Sequence, residues 1–150
     1  MPVTYEHTQI GRVTIVTLIV AILVTLVIAS TARQAPLAIV VALLAVLLTQ
    51  FATMTTRVAD GVLSVRMGAG IFRRRIALTN VRQVAVISHL WVWGWGIRWT
   101  PRGWQWNISG TRGVELTYGN GHRFRVGSDE PEALAAAIAS WLDKGANVHL

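Results

Sequence analysis

The chain reads as a membrane protein in which a two-helix transmembrane hairpin is followed by a small, mostly β domain with a C-terminal α-helix. Three observations predict this. Two uncharged apolar runs of helical length stand close together in the first third of the sequence. From Val58 onward the pattern changes to short alternating runs broken by turn residues, the signature of half-buried strands. The last such run gives way to an alanine-rich segment whose large apolar residues recur at helical spacing.

Residues 1–12 are expected to be a cytoplasmic segment ahead of the first span. The spans themselves are 13–30 and 37–54, each 18 residues without a charge. As helix, that length covers about 27 Å, close to a hydrocarbon core of roughly 30 Å. A charged side chain at mid-membrane costs about 2.5–3.5 kcal/mol on insertion scales, so two clean runs carry weight. The link Thr31–Pro36 is short enough to force an antiparallel hairpin, and Pro36 suits the first turn of the second helix. A cleaved signal peptide is the alternative for the first run, with Ser30-Thr31-Ala32 as the small-residue site. Against it, the preceding Arg12 is offset by Glu6, and the apolar run exceeds the usual length of about 7–15 residues.

Arg12 precedes the first span, Arg57, Arg66 and Arg73–Arg75 follow the second, and Arg33 stands alone between them. The positive-inside rule then places both termini in the cytoplasm. The expected location is the inner (plasma) membrane, crossed more than once.

Residues 55–144 form the expected β domain and 145–150 a tail. Asp60-Gly61 is a turn, and Gly68-Ala69-Gly70 closes a hairpin between Leu63–Met67 and Ile71–Ile76. With Ala69-Gly70 as a two-residue turn, Leu63 faces Ile76 and Met67 faces Phe72 on one apolar side. The same register sets Arg66 beside Arg73, with Arg75 on that outer face, while Arg74 falls on the apolar side without an evident partner. Val81–Ser88 is a further strand, entered through a turn at Leu78-Thr79-Asn80. Val114–Tyr118 and His122–Val126 flank Gly119-Asn120-Gly121, pairing Leu116 with Phe124, Val114 with Val126, and Glu115 with Arg125. Asp129 and Glu132 have capping-box spacing, Pro131 suits a first turn, and Leu134, Ile138, Trp141 and Leu142 make one stripe.

Cysteine is absent, which excludes disulfide and thiolate chemistry. His7, His89, His122 and His149 lack metal-ligand spacing, and no nucleophile elbow, paired carboxylates or phosphate loop is visible. No enzyme, metal or cofactor is therefore expected. The charged side is dominated by arginine, and between Arg57 and Gly127 eleven Arg stand against Asp60 and Glu115, a local net of 11 − 2 = +9. Such density calls for an anionic neighbour, and beside a bilayer the nearest is lipid headgroups.

Six tryptophans fall within residues 91–106. Trp91, Trp93 and Trp95 share one face in strand geometry, either as an interfacial aromatic cluster or as packing within the domain. Basic residues interleaved with aromatics also resemble a single-strand nucleic-acid platform, but a membrane tether disfavours that, so no nucleic acid is expected.

Arg57–Gly68 is similar to the opening strand-turn-strand of bacterial pleckstrin-homology-like (PH-like) domains. Gly94–Arg98, Pro101–Trp104 and Asn107–Gly110 resemble the middle motif of small membrane-anchored members, and Arg123–Leu134 resembles their last strand and helix start. The resemblance covers most of residues 57–142 and implies a PH-like barrel of two sheets capped by a C-terminal helix. PH domains that grip phosphoinositides use a basic–gap–basic–x–Arg pattern around a hairpin, which Arg66, Arg73 and Arg75 match. The expected function is a membrane-anchored adaptor or scaffold contacting anionic phospholipid, a protein partner or a second copy of itself. The alternative is an accessory subunit of a larger membrane transport complex, docked through its helical hairpin.

Overall fold

The computed structural model describes residues 3–32, 35–88, 96–101, 103–108 and 110–146. Trp91, Trp93 and Trp95 lie outside them, so neither reading of that cluster is decided.

The chain opens on a strand, β1 (Val3–Ile10), and then forms two apolar helices, α1 (Arg12–Ala32) and α2 (Leu37–Phe51). Strands β2 (Thr53–Ala59), β3 (Val62–Met67) and β4 (Arg73–Ala77) follow. A 3₁₀ turn at Leu78–Asn80 leads to β5 (Val81–Ser88), β6 (Gly96–Thr100), β7 (Gly103–Asn107), β8 (Arg112–Tyr118) and β9 (Arg123–Gly127), and α3 (Pro131–Ala146) ends the fold. One sheet has the order β1-β2-β3-β4 and the other β5-β8-β9-β7-β6, with β7 and β9 parallel.

The N-terminal segment and the end of the second helix differ from the sequence expectation. From sequence, residues 1–12 are a segment outside the domain. In the structure β1 pairs antiparallel with β2 from Val3↔Ala59 to Ile10↔Thr53, so the helical hairpin is an insertion between two adjacent strands. The signal was faint because Tyr5, His7 and Gln9, which form the inward side of β1, are mostly polar. The second apolar run also ends sooner. Met54 belongs to β2 and is fully buried in the core, and the N–H of Gly11 donates to the Ala52 carbonyl (2.8 Å), closing the strand pair directly beneath the helices. With α2 at 15 residues, α1 is the one helix among the described residues long and apolar enough to cross a membrane, by length and composition alone. No part of that stretch is buried within the protein.

The β3–β4 and β8–β9 registers follow the pattern expected from sequence. Asp60 and Gly61 both take positive φ (51° and 72°), the two-residue turn that matches strand twist. Leu63↔Ile76 and Arg66↔Arg73 pair as expected, as do Val114↔Val126, Glu115↔Arg125 and Leu116↔Phe124. The core lies between the sheets, with Met54, Val58, Leu63, Val65 and Met67 on one side and Val114, Leu116, Phe124 and Val126 on the other. Leu134 and Ile138 of α3 complete it, and α3 packs on β5, β8, the 3₁₀ turn and β1. Asp129 takes a different part from the one its spacing implied. Its carboxylate accepts from His7 Nε2 (2.8 Å), tying α3 to β1, and Ser128 Oγ accepts the N–H of Glu130 (3.1 Å) instead. Glu132 pairs with Arg112, and its carboxyl is held below the usual range by its own backbone N–H and then by that guanidinium.

Candidate functional site

The outer face of the first sheet is organised by strand register. One cross-strand row runs Thr8–Thr55–Arg66–Arg73 and the next Glu6–Arg57–Ser64–Arg75. Alternation sends every one of these side chains away from the core, because Met54, Thr56, Val58, Leu63, Val65 and Met67 take the inward positions. The sequence-derived trio Arg66, Arg73 and Arg75 is thus brought together, and Arg57 joins it. The four guanidiniums wall a cleft of about 290 Å³ floored by Thr55 and Ser64.

The charge in this cleft is largely uncompensated. Glu6 lies 3.7 Å from Arg57, while Arg66, Arg73 and Arg75 make no ion pair among the described residues. Directly opposed like charges such as Arg66 and Arg73 weaken a strand pair, so the arrangement costs stability unless an anion or water relieves it. Neutralising the cluster needs ligands with more than one acceptor oxygen, for which the guanidinium fork is suited.

Position relative to the helices matters as much as charge. The Arg66–Arg73 row lies opposite Thr55, two residues or about 7 Å along the strand from Thr53, where β2 leaves α2. The β3–β4 tip turns back against the base of α2. The N–H of Gly68 donates to the Thr53 carbonyl (2.8 Å), and the Phe72 ring meets Phe51 with centroids 5.7 Å apart. A Cβ at Gly68 would collide with the carbonyls of Thr49 and Gln50, so only glycine lets the tip approach. Ile71, at the tip, is 69% exposed although apolar. Arg12 stands at the start of α1, at the same end of the domain.

Arg74, which had no evident partner in sequence, points inward at the open side of the sheet sandwich. Its guanidinium lies 4.7 Å above the Phe124 ring and beside the Tyr118 hydroxyl. Burial raises the Tyr118 pKa, and the charge of Arg74 opposes that rise. Sequence reasoning also missed an exposed tryptophan pair, Trp99 opposite Trp104, on strands whose pairing could not be inferred without the fold. Trp106, by contrast, is core. Among the described residues no group of three His, Asp or Glu side chains is placed to hold a metal ion. No protein-family model, no curated protein and no solved structure matches the chain.

Proposed function

We propose that the chain is a membrane-anchored PH-like module whose arginine face engages anionic lipid headgroups next to its own helical hairpin, presenting the domain as an adaptor or scaffold. The observation that carries this reading is the coincidence, at one end of the domain, of the uncompensated Arg66–Arg73 row, the exposed Ile71 tip and the bases of two helices with bare apolar flanks. In a bilayer, α1 at 21 residues extends about 31 Å, the thickness of the hydrocarbon core. Headgroup layers add about 5–7 Å on each side, so the near arginine row falls within reach of phosphate oxygens.

Strand pairing supports the orientation. Because β1 and β2 are partners, the two ends of the hairpin emerge on one side of the bilayer, and the domain sits there with Arg12, Arg57, Arg66 and Arg73–Arg75. The positive-inside rule makes that side the cytoplasm, so both termini lie at the inner face of the plasma membrane. A second reading, an accessory subunit docked through the hairpin, is favoured by α2. At 15 residues it covers about 22 Å, a mismatch that tilt, local thinning or a neighbouring helix would relieve.

The test uses the cysteine-free chain with one cysteine introduced at Ala69, dye-labelled and reconstituted in vesicles carrying an acceptor on phosphatidylglycerol or on phosphatidylcholine. Energy transfer should be stronger to the anionic lipid and fall to the zwitterionic level in the Arg66→Gln, Arg73→Gln, Arg75→Gln variant. Equal transfer to both lipids in the parent chain would end the lipid reading. Co-purification of a stoichiometric membrane partner in mild detergent would favour the subunit reading.

A further inference from the structure

A second cleft, of about 460 Å³, opens on the other side of β4, between that edge strand and the β6–β7 hairpin. Its walls carry Arg74, Arg75, Arg123, His122, Tyr118 and the amides of Asn80 and Asn120, and no carboxylate lines it among the described residues. Glu115, the nearest acid, is already engaged by Arg123 (3.1 Å) and Arg125 (2.6 Å) from the outer face of the second sheet. Arg74 is held in place by the Phe124 ring beneath it and Tyr118 beside it, and has no ion-pair partner among the described residues.

The aromatic wall follows from sheet geometry. On the inner face of the second sheet one row runs Val84–Leu116–Phe124–Trp104–Trp99 across five strands. The first sheet covers Leu116 and Phe124 completely, but the row continues past its edge, leaving Trp104 43% and Trp99 69% exposed. Two adjacent indoles left open beside the Arg74 guanidinium form a platform for a flat ring, with an anion-binding group at its margin.

We infer that this cleft is a binding site for a nucleotide-class ligand, with the base stacked on the Trp99–Trp104 platform and a phosphate held by the inward-pointing Arg74. The volume lies within the range of about 300–1,000 Å³ typical of small-ligand sites. Asn80 lines the cleft, and Asn120, whose Oδ1 accepts the His122 N–H (3.1 Å), keeps its amide nitrogen to donate to a base edge. A lipid headgroup is disfavoured as occupant by position. Gly103, which lines the cleft, begins β7, whereas its far end leads to Ile108, whose carbonyl accepts from Thr14 at the base of α1 (2.9 Å). The cleft therefore sits about a strand's length, roughly 15 Å, from the helix bases.

The experiment is equilibrium dialysis of the full chain in phosphatidylcholine nanodiscs against labelled ATP, with adenosine and tripolyphosphate as competitors. ATP should bind saturably, one per chain, and both competitors should be at least about tenfold weaker, since each engages half of the site. Trp99→Ala should weaken ATP about tenfold or more. Trp99 is exposed, so its loss leaves the core intact, and Arg74→Gln provides a second variant with the same expected direction. Arg66→Gln, outside the cleft, should leave ATP binding unchanged, which separates this site from the lipid face. Absence of saturable binding at about 5 mM ATP, equal ATP binding by Trp99→Ala, or tripolyphosphate binding as tightly as ATP would each overturn the assignment.

Discussion

Replacing residues 12–51 with Asn-Gly should convert the chain into a soluble domain of nearly unchanged stability. The excised stretch is 51 − 12 + 1 = 40 residues long, and the ends it leaves are already paired. Ile10 faces Thr53, and the Gly11 N–H reaches the Ala52 carbonyl at 2.8 Å, so a two-residue primed turn fits the gap. Excision loses the Phe51–Phe72 ring contact, worth about 0.5–1.5 kcal/mol. It also loses the Thr14 hydrogen bond to the Ile108 carbonyl, worth about 1 kcal/mol. Shortening the connection recovers at most (3/2)RT ln(40/2), about 2.7 kcal/mol, and less in so far as the hairpin is already ordered. The two sides nearly cancel. Urea unfolding in the absence of detergent should therefore be a single cooperative transition, with dispersed amide resonances beforehand. A chain starting at Ala52, which lacks β1, should be less stable by about 3 kcal/mol or more, because the edge of β2 and the partners of Tyr5 and His7 are left open. Unfolding of the excised variant, or equal stability of the chain that lacks β1, would refute the view that the hairpin interrupts a sheet.

Gly103 takes φ 124° and approaches the Arg123 carbonyl so closely that a Cβ would overlap it. Gly103→Ala should cost at least about 2 kcal/mol, whereas Gly96→Ala, with φ 108° but open space around it, should cost about 1 kcal/mol. The measurement is the shift in denaturation midpoint. Glu115→Gln leaves Arg123 and the half-buried Arg125 without their counter-ion, and calorimetry should register about 2–3 kcal/mol of destabilisation. Burial raises the pKa of both Tyr118 and Tyr5 above the ordinary value near 10. Since the folded values lie above the unfolded ones, the stability from their neutral forms is complete below about pH 10 and is lost as pH rises further. The urea midpoint should therefore drop between about pH 9 and 11, and the drop should shrink in Tyr118→Phe. Cysteines at Thr4 and Lys144 should react with an impermeant maleimide from the same side of sealed vesicles, and opposite-side labelling would contradict the β1–β2 pairing.

Local pattern carried much of this fold. The β3–β4 and β8–β9 registers were legible because short turns fix which residue faces which, and a one-residue slip would have exposed the apolar side. That register alone assembled Arg66, Arg73 and Arg75. Long-range pairing was not legible. β1 meets β2 across the intervening residues 11–52, 52 − 11 + 1 = 42 of them, and its inward Tyr5, His7 and Gln9 lack the apolar alternation that marks a strand. The parallel union of β7 with β9 likewise joins distant segments, so the tryptophan platform and its proximity to Arg74 could not be read from spacing. The end of α2 is not marked in the sequence because Ala52, Thr53 and Met54 carry no charge, proline or glycine, and only their sheet partners draw them out of the helix.

One residue, Gly11, separates β1 from α1, and one, Ala52, separates α2 from β2. There is no swivel at either junction. A conventional tethered domain hangs from a single flexible linker and tumbles, whereas this one is fastened at two neighbouring points by paired strands. A rocking of the helices by a few degrees therefore carries the whole sandwich with it, in the manner of a dial fixed to a shaft. If the helices stand in a bilayer as proposed, the arginine face would take from them an angle as well as a neighbour, set by the thickness and curvature of that layer.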